Sequence, residues 1–339
     1  MHNLKKQPYI LAIESSCDDT SAAILKGNIV LSNVVSTQQV HKEYGGVVPE
    51  LASRAHQKNI IPTVDSALKR AEISKSDLDA IAFTRGPGLL GSLLVGVSFA
   101  KSLSLALNKP MIEVNHMEAH ILAHLINDGS PTPEFPFLCL TVSGGHTQLV
   151  IVNSPLEMKV IGETIDDAAG EAFDKISKIM ELPYPGGPLI DKYAKEGNAD
   201  AYKFPHPKVG ELEFSFSGLK TSVLRFLQKE VRKDEKFIEN HLNDICASVQ
   251  KTIVDILVNK IKIASKKTGI TRIAIAGGVS ANSELRKRLL ENTFKWDVFI
   301  PDFQFCTDNA GMIGIAGYYK YQKEIFVDQS VVADARLRI

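Results

Sequence analysis

The apolar positions of this 339-residue chain gather in short continuous runs. Tyr9-Ile-Leu-Ala-Ile13 is the first; the small polar stretch Glu14-Ser-Ser-Cys-Asp18-Asp19-Thr20 separates it from a second, Ala22-Ala-Ile-Leu25. Brief apolar runs bounded by small polar residues predict a strand, a turn and a second strand. The plan recurs about 130 residues later, where Phe137-Leu-Cys-Leu-Thr141-Val142 passes through Ser143-Gly144-Gly145-His146 into Thr147-Gln-Leu-Val-Ile-Val152. Such a repeated layout predicts a duplicated domain. A third run, Arg272-Ile-Ala-Ile-Ala276, meets Gly277-Gly278 and then a helix start with Ser280 or Asn282 as its cap. The longest apolar stretch, Leu89 to Leu107, is broken by Gly91, Ser92, Gly96, Ser98 and Lys101, which predicts a packed helix rather than a membrane span.

A different pattern stands in Val114-Asn-His116-Met-Glu118-Ala-His120-Ile121, a run of good helix formers. Four residues advance a helix by only about 40° beyond one turn, so both imidazoles face the same way and can share one metal ion. Two histidines on a wet helix face explain the pair equally well. His124 continues the row, but a drift of about 80° makes it a poorer ligand.

Composition narrows the classes. With 44% hydrophobic and 23% charged residues the chain is globular, and its length calls for two domains. The division expected is 1–130 and 131–339, with a helical insertion at about 190–260 and the C-terminal helix free to return to the first domain. Lys+Arg and Asp+Glu both number 39, so no global basic field draws in nucleic acid. Cys17, Cys139, Cys246 and Cys306 lack a Cys-x-x-Cys spacing, which argues against a zinc ribbon or disulfide framework. The N-terminal Met1 to Pro8 has no apolar core of a secretory leader, and a reducing cytoplasm is the expected location.

Glycines and small hydroxyl residues leave backbone N–H groups exposed, so two facing hairpin turns can clamp a phosphate chain. The late Gly277-Gly278 turn lets a flat base lie against backbone. No Gly-x-x-x-x-Gly-Lys-Ser/Thr and no strand-linked Gly-x-Gly-x-x-Gly is present. The order of these three pieces resembles the actin, hexokinase and Hsp70 superfamily, which implies an α/β fold of duplicated actin-like ATPase domains (the ASKHA class) around a nucleotide cleft.

Longer motifs carry a closer resemblance. Glu14-Ser-Ser-Cys-Asp-Asp-Thr20, Tyr44-Gly-Gly-Val-Val-Pro-Glu50, Arg85-Gly-Pro-Gly-Leu89, His116-Met-Glu-Ala-His120, Val142-Ser-Gly-Gly-His146, Gly170-Glu-Ala-Phe-Asp-Lys175, Tyr184-Pro-Gly-Gly-Pro188, Phe214-Ser-Phe-Ser-Gly-Leu-Lys220, Gly277-Gly-Val-Ser-Ala-Asn282 and Cys306-Thr-Asp-Asn309 follow in family order. The chain resembles the bacterial TsaD family, tRNA N6-adenosine threonylcarbamoyltransferases formerly labelled glycoproteases. The resemblance implies that His116, His120 and Asp308 hold one divalent metal, usually assigned to iron. It implies that Thr141, Val142, Ser143, Gly144, Gly145, Asp174, Gly187, Asp191 and Asn282 bind threonylcarbamoyl-AMP or a nucleotide such as ATP. The acceptor implied is N6 of adenosine 37 in tRNAs reading codons that begin with adenine. TsaB, TsaE and a separate synthase for the adenylate are the implied partners, with no membrane.

Other residues carry competing explanations. Glu14, Asp18 and Asp19 are the candidates for a catalytic carboxylate, against a structural role in the turn. Glu118 makes the helix motif His-x-Glu-x-His rather than the His-Glu-x-x-His of zinc proteases, which weakens a metalloprotease; a nucleotide-gated binding protein or kinase of the same fold is the other alternative. His146 suits a phosphate donor or a packing residue, and Asp166 and Asp167 suit helix caps. Lys220, Arg225, Arg232, Lys233, Lys266 and Lys267 read as solvated helix faces. Segment 32–62, with His41, Lys42, Arg54, His56 and Lys58, is the preferred tRNA-docking element.

Overall fold

The computed structural model describes residues 7–291 and 294–339. Met1 to Lys6, most of the stretch read above for a leader, lies outside them, as does the side chain of Lys42. The chain forms two compact units, one of residues 1–133, 153–158 and 301–339 and one of residues 134–152 and 159–300. No single cut near residue 130 separates them, because 153–158 and 301–339 belong with the first unit.

The first unit holds β1 (Tyr9–Glu14), β2 (Asp19–Lys26), β3 (Ile29–Thr37), α1 (His41–Tyr44), α2 (Pro49–Arg70), β4 (Ala80–Gly86), α3 (Leu90–Leu107), β5 (Met111–Asn115) and α4 (His116–Leu122). Its sheet has the order β3-β2-β1-β4-β5. The hairpin strands β1, β2 and β3 run antiparallel, whereas β4 and β5 join β1 in parallel. The second unit carries β6 (Phe137–Val142), β7 (Thr147–Ser154), β8 (Glu157–Glu163), α5 (Ala169–Ile179), α6 (Gly186–Ala194), α7 (Ser217–Val231), α8 (Phe237–Thr268), β9 (Arg272–Ala276), α9 (Ser283–Leu290) and β10 (Asp297–Phe299). Its sheet, β8-β7-β6-β9-β10, repeats the first: β6 and β7 form the antiparallel hairpin, and β9 and β10 are added in parallel. The duplication expected from the two hairpins is thus a duplication of whole sheets.

Central strands covered on both faces have no polar side to alternate, which is why β1 and β6 read as unbroken apolar runs. Every residue of β6 is buried, as is all of β1 after Tyr9. By length and composition α3 could cross a membrane. Here Val97 and Ala100 join Leu11, Ile13, Ile81 and Phe83 in one apolar cluster. The C-terminal helix α10 (Ala310–Gln322) packs Met312, Ile313 and Ile315 against Ile10, Ala12, Leu25 and Ala82.

Polar turns lie at the carboxyl ends of the central strands, where open α/β sheets place their ligands. One of them demands glycine. Gly277, after β9, has φ +85°, and a Cβ there would stand 2.5 Å from the carbonyl oxygen of Val142 at the end of β6. Gly277→Ala is therefore expected to destabilise the chain by about 2–4 kcal/mol, from strain and backbone contact together. Denaturant unfolding measures this directly, with the parallel β6–β9 pairing as the structure at risk.

Candidate functional site

In the first unit the carboxyl end of β5 meets the start of α4. The side chain of Asn115 accepts the N–H of Met117 at 2.8 Å and of Glu118 at 3.2 Å, so the helix begins at His116. With the start set, the four-residue step brings the rings of His116 and His120 to 4.7 Å between centroids at an interplanar angle of 90°. Asp308 arrives from the other end of the chain, in the turn before α10. Its Oδ1 lies 3.2 Å from His120 Nε2 and 3.4 Å from His116 Nε2. The ligand atoms of the three residues lie within 4.8 Å of one another. The His120 side chain is wholly buried, whereas Asp308 remains 27% exposed and is the solvent-facing member.

The second nitrogen of His116 is also occupied. Nδ1 stands 3.0 Å from Glu14 Oε2 and 3.2 Å from Ser16 Oγ. Glu14 accepts in turn from Thr84 Oγ1 at 2.6 Å and from the backbone N–H of Ser16. The Glu14 carboxylate accepts the Nδ1–H of His116 and so turns Nε2 toward Asp308, the arrangement by which outer groups orient a metal-binding histidine. Two imidazole nitrogens and one carboxylate oxygen converging at these distances are a donor set suited to a divalent transition ion.

Burial disfavours the charged imidazolium of His116, but Asp308 and Glu14 outweigh it and hold this histidine well above its ordinary value. Burial would raise the Asp308 and Glu14 carboxyls too, yet the facing His116 pulls both below the usual carboxylate range. Burial keeps His120 below its ordinary value.

The remaining sequence candidates separate clearly. Glu14 is fully buried and committed to His116, so the structure gives it an orienting post rather than that of a free base. Asp19, at the start of β2, has one buried oxygen without a partner among the described residues. Burial and neighbouring Asp18 push its carboxyl up to about 7. His124 lies in a 3-10 turn beyond α4 and is not one of the three converging ligands. Two members of the expected docking segment are corrected: His41 and His56 are buried, His41 against Gln38 and His56 between Thr20 and the carbonyl of Cys17. Buried rings cannot meet a nucleic acid, and exposed Arg54 is paired with Glu50. Thr84 and Ser16 were missed. The parallel register Ile13↔Phe83 sets Glu14 and Thr84 side by side, but that register is not visible from either strand alone.

In the second unit the expected ligand residues form a closed chain of contacts. Thr141 and Val142 are buried within β6, whereas Gly144 and Gly145 are exposed in the turn that follows. Ser143 accepts the N–H of Gly170 in α5 through its carbonyl, at 3.2 Å. Further along α5, Asp174 accepts the N–H groups of Gly186 and Gly187 at 2.8 and 3.3 Å, capping α6. Asp191 of α6 accepts the N–H and hydroxyl of Ser283, next to Asn282, which caps α9 and donates to Gln250. Gly277 then packs against Val142 and closes the circuit. Asp166 and Asp167 serve elsewhere, Asp166 accepting from Ser215 and Ser217 and Asp167 pairing with Lys175.

Comparison with known proteins agrees with this geometry. Residues 29–315 match the TsaD family, described as tRNA N6-adenosine threonylcarbamoyltransferase. A protein of that name from Christiangramia forsetii is 63% identical over 332 residues, 97% of this chain and 98% of its own. Among solved structures, HypF in its phosphate- and nucleotide-bound form aligns over 96% of this chain and 48% of its own, with a TM-score of 0.61 at 15% identity. The (R)-2-hydroxyglutaryl-CoA dehydratase component A of Acidaminococcus fermentans aligns over 93% of this chain and 98% of its own, with a TM-score of 0.53 at 16% identity. These two share the fold, a duplicated actin-like ATPase architecture.

Two outcomes follow for the first unit. His116→Ala, His120→Ala and Asp308→Ala should each abolish stoichiometric binding of a divalent transition ion, whereas Glu14→Gln should weaken it about 10–100-fold with the ligands intact; elemental analysis and competition with a chelator separate these cases. Because His116 keeps its proton above the ordinary histidine range, an incoming ion must displace it. Metal affinity should rise with pH and level off once the pH passes the raised value, with proton release on binding measured by calorimetry in buffers of different ionisation enthalpy.

Proposed function

We propose that this chain, which belongs to the TsaD family of tRNA N6-adenosine threonylcarbamoyltransferases, transfers the threonylcarbamoyl group of threonylcarbamoyl-AMP to N6 of adenosine 37 in tRNAs reading codons that begin with adenine. The observation that carries this reading is a relationship at 63% identity over nearly the full length of both chains. In the reaction the N6 amine forms a C–N bond to the carbamoyl carbon, the C–O bond to the phosphate breaks, AMP departs and the amine loses a proton.

The residues divide the work by chemistry. His116, His120 and Asp308 would hold the divalent ion, with iron the favoured identity, and Glu14 keeps His116 in the tautomer that can bind it. When bound, the ion supplies Lewis-acid polarisation of an acyl or phosphate oxygen. In the second unit Gly144 and Gly145, exposed in the turn after β6, offer backbone N–H groups to the adenylate phosphate, and Gly187 offers room for it at the start of α6. Of the carboxylates, Asp19 suits the role of proton acceptor, since a group held near 7 can take a proton at neutral pH and release it again. TsaB, TsaE and an upstream synthase complete the system, and ATP is a further ligand of the same turn. A chain with equal numbers of acidic and basic residues binds an anionic tRNA weakly alone, which favours a surface shared with a partner.

A protease is disfavoured by Glu118. Two helical positions beyond His116 it points about 200° around the helix, away from the face shared by both histidines, and so cannot activate water there.

Nucleoside mass spectrometry of tRNA after incubation with the synthase, TsaB and TsaE tests the activity, with N6-threonylcarbamoyladenosine as the expected product. A second measurement isolates the nucleotide residues. A Cβ at Gly187 would come no closer than 3.8 Å to Phe173, so the position tolerates a side chain structurally. Gly187→Val should therefore leave the melting temperature within a few degrees while lowering affinity for ATP or a stable adenylate analogue at least about tenfold by calorimetry; unchanged affinity would remove Gly187 from the ligand site.

A further inference from the structure

We propose that His56 of α2 is a positioning residue for Asp19: it grips the turn between β1 and β2 on both sides of Asp18-Asp19 and so fixes where the Asp19 carboxyl points. The inference rests on the reading of Asp19 as proton acceptor and adds a residue to it.

The turn brings several groups of the site together. Glu14 and Ser16 both reach His116 Nδ1, and the carboxyl of Asp19, at the start of β2, feels the charges of Asp308 and Glu14. Residues 15–18 lie beyond Glu14↔Ser21, the last pair between the two strands, so the ladder does not hold them. One oxygen of Asp19 has no partner among the described residues, which leaves the backbone on either side to set its direction.

Support comes instead from the helices. The carbonyl of Ser16 accepts the N–H of Leu89, just before α3, at 2.7 Å. Ser92 of α3 donates to the carbonyl of Cys17 at 2.9 Å, while its own carbonyl accepts from Ser15 Oγ at 3.1 Å. His56 adds the part that spans the two acids. Its side chain is wholly buried, with Nε2 2.9 Å from the Cys17 carbonyl oxygen and Nδ1 2.7 Å from Thr20 Oγ1.

These partners decide the tautomer. A carbonyl can only accept, so Nε2 carries the proton. Burial keeps the ring below its ordinary value and neutral, so Nδ1 is a lone pair that accepts the Thr20 hydroxyl. One nitrogen thus holds the residue before Asp18-Asp19 and the other holds the residue after it. One turn away in each direction α2 buries Ala52 and Ile60, so an apolar side chain would serve the packing of this helix face. The imidazole gives both of its hydrogen bonds to the turn, and a buried polar group with both bonds made locks the geometry of its partners. A displacement of about 1 Å in a reacting group can cost on the order of 100-fold in rate, which is the scale at which such a hold matters.

The test is a double-mutant cycle on the full chain in the reconstituted transfer reaction. His56→Leu removes both bonds and should lower kcat about 10–100-fold, with the KM for tRNA and for the acyl donor within about twofold of the unaltered chain and metal stoichiometry unchanged. His56→Gln keeps an N–H that can reach the Cys17 carbonyl and should restore kcat to within about threefold. Because His56 acts through Asp19, its loss should cost less than about twofold once Asp19→Asn is present, whereas a purely structural loss would fall on both backgrounds alike. If His56→Leu does not fold, Thr20→Val, which removes only the Nδ1 bond, takes its place in the cycle with the same sign expected. Amide hydrogen exchange reads the turn without activity: residues 17–20 should lose at least about tenfold protection in His56→Leu and keep it in His56→Gln. Unaltered kcat in His56→Leu, equal losses with and without the Asp19 carboxyl, or unchanged exchange at 17–20 would each overturn the positioning role. Full kcat in Asp19→Asn would remove the proton-acceptor reading and this inference with it. If the unaltered chain yields no modified nucleoside, the substrate reading fails by itself, and hydrogen exchange still decides whether His56 fixes the turn.

Discussion

The packing of α10 against the first sheet is the constraint on which the cluster of His116, His120 and Asp308 depends. Asp308 is an acid brought into an environment that disfavours its charge, and nothing in its own turn would hold it beside two histidines. Burial of Met312, Ile313 and Ile315 does so, since side chains of this size contribute on the order of 5 kcal/mol together when removed from water. The approach is close: a Cβ on Gly314 would overlap Leu25 of β2. Polar contacts set the register, with the Ala310 N–H donating to Ser21 and Asn309 capping the helix at Met312. A shift of α10 by one residue would lose these bonds and carry Asp308 away from His120.

Within that frame the electrostatics of the centre anticipate a cation. Without metal, a protonated His116 stands between Glu14 and Asp308 and balances them. The raised value of His116 means that its contribution to stability is complete below its ordinary value near 6.5 and is lost as pH rises through the folded value. Asp308, depressed, contributes above its ordinary carboxylate value and loses that contribution only as pH falls toward the folded one. The metal-free centre is thus best satisfied in mildly acidic solution. At higher pH a divalent cation can replace the missing proton, and Glu14 is the common element because it orients His116 in either state.

The second unit solves a different problem with ordinary structural parts. Asp174, Asp191 and Asn282 spend hydrogen-bonding capacity on helix starts and neighbouring elements, so each holds backbone in place before any ligand is present. The exposed atoms at the Ser143 to Gly145 turn and at Gly187 are mostly backbone, which is why glycine recurs there. Such a surface is preorganised and small.

Local pattern was sufficient for much of this. Unbroken apolar runs reveal doubly covered strands, the repeated hairpin reveals the duplication, and the four-residue spacing of His116 and His120 follows from helix geometry alone. The third member of the cluster is another matter: Asp308 lies 188 residues from His120, and in the sequence only the family resemblance points to it. Glu14 in its polar turn could be read as a catalytic carboxylate or as a structural residue, and only the parallel register of β1 with β4 and the position of α4 surround it with Thr84 and His116. His41 and His56 read as surface groups, yet helix packing buries them. Periodicity is a property of one segment and is written in consecutive residues, whereas burial, pairing and charge environment belong to two or more segments at once and exist only after they have packed.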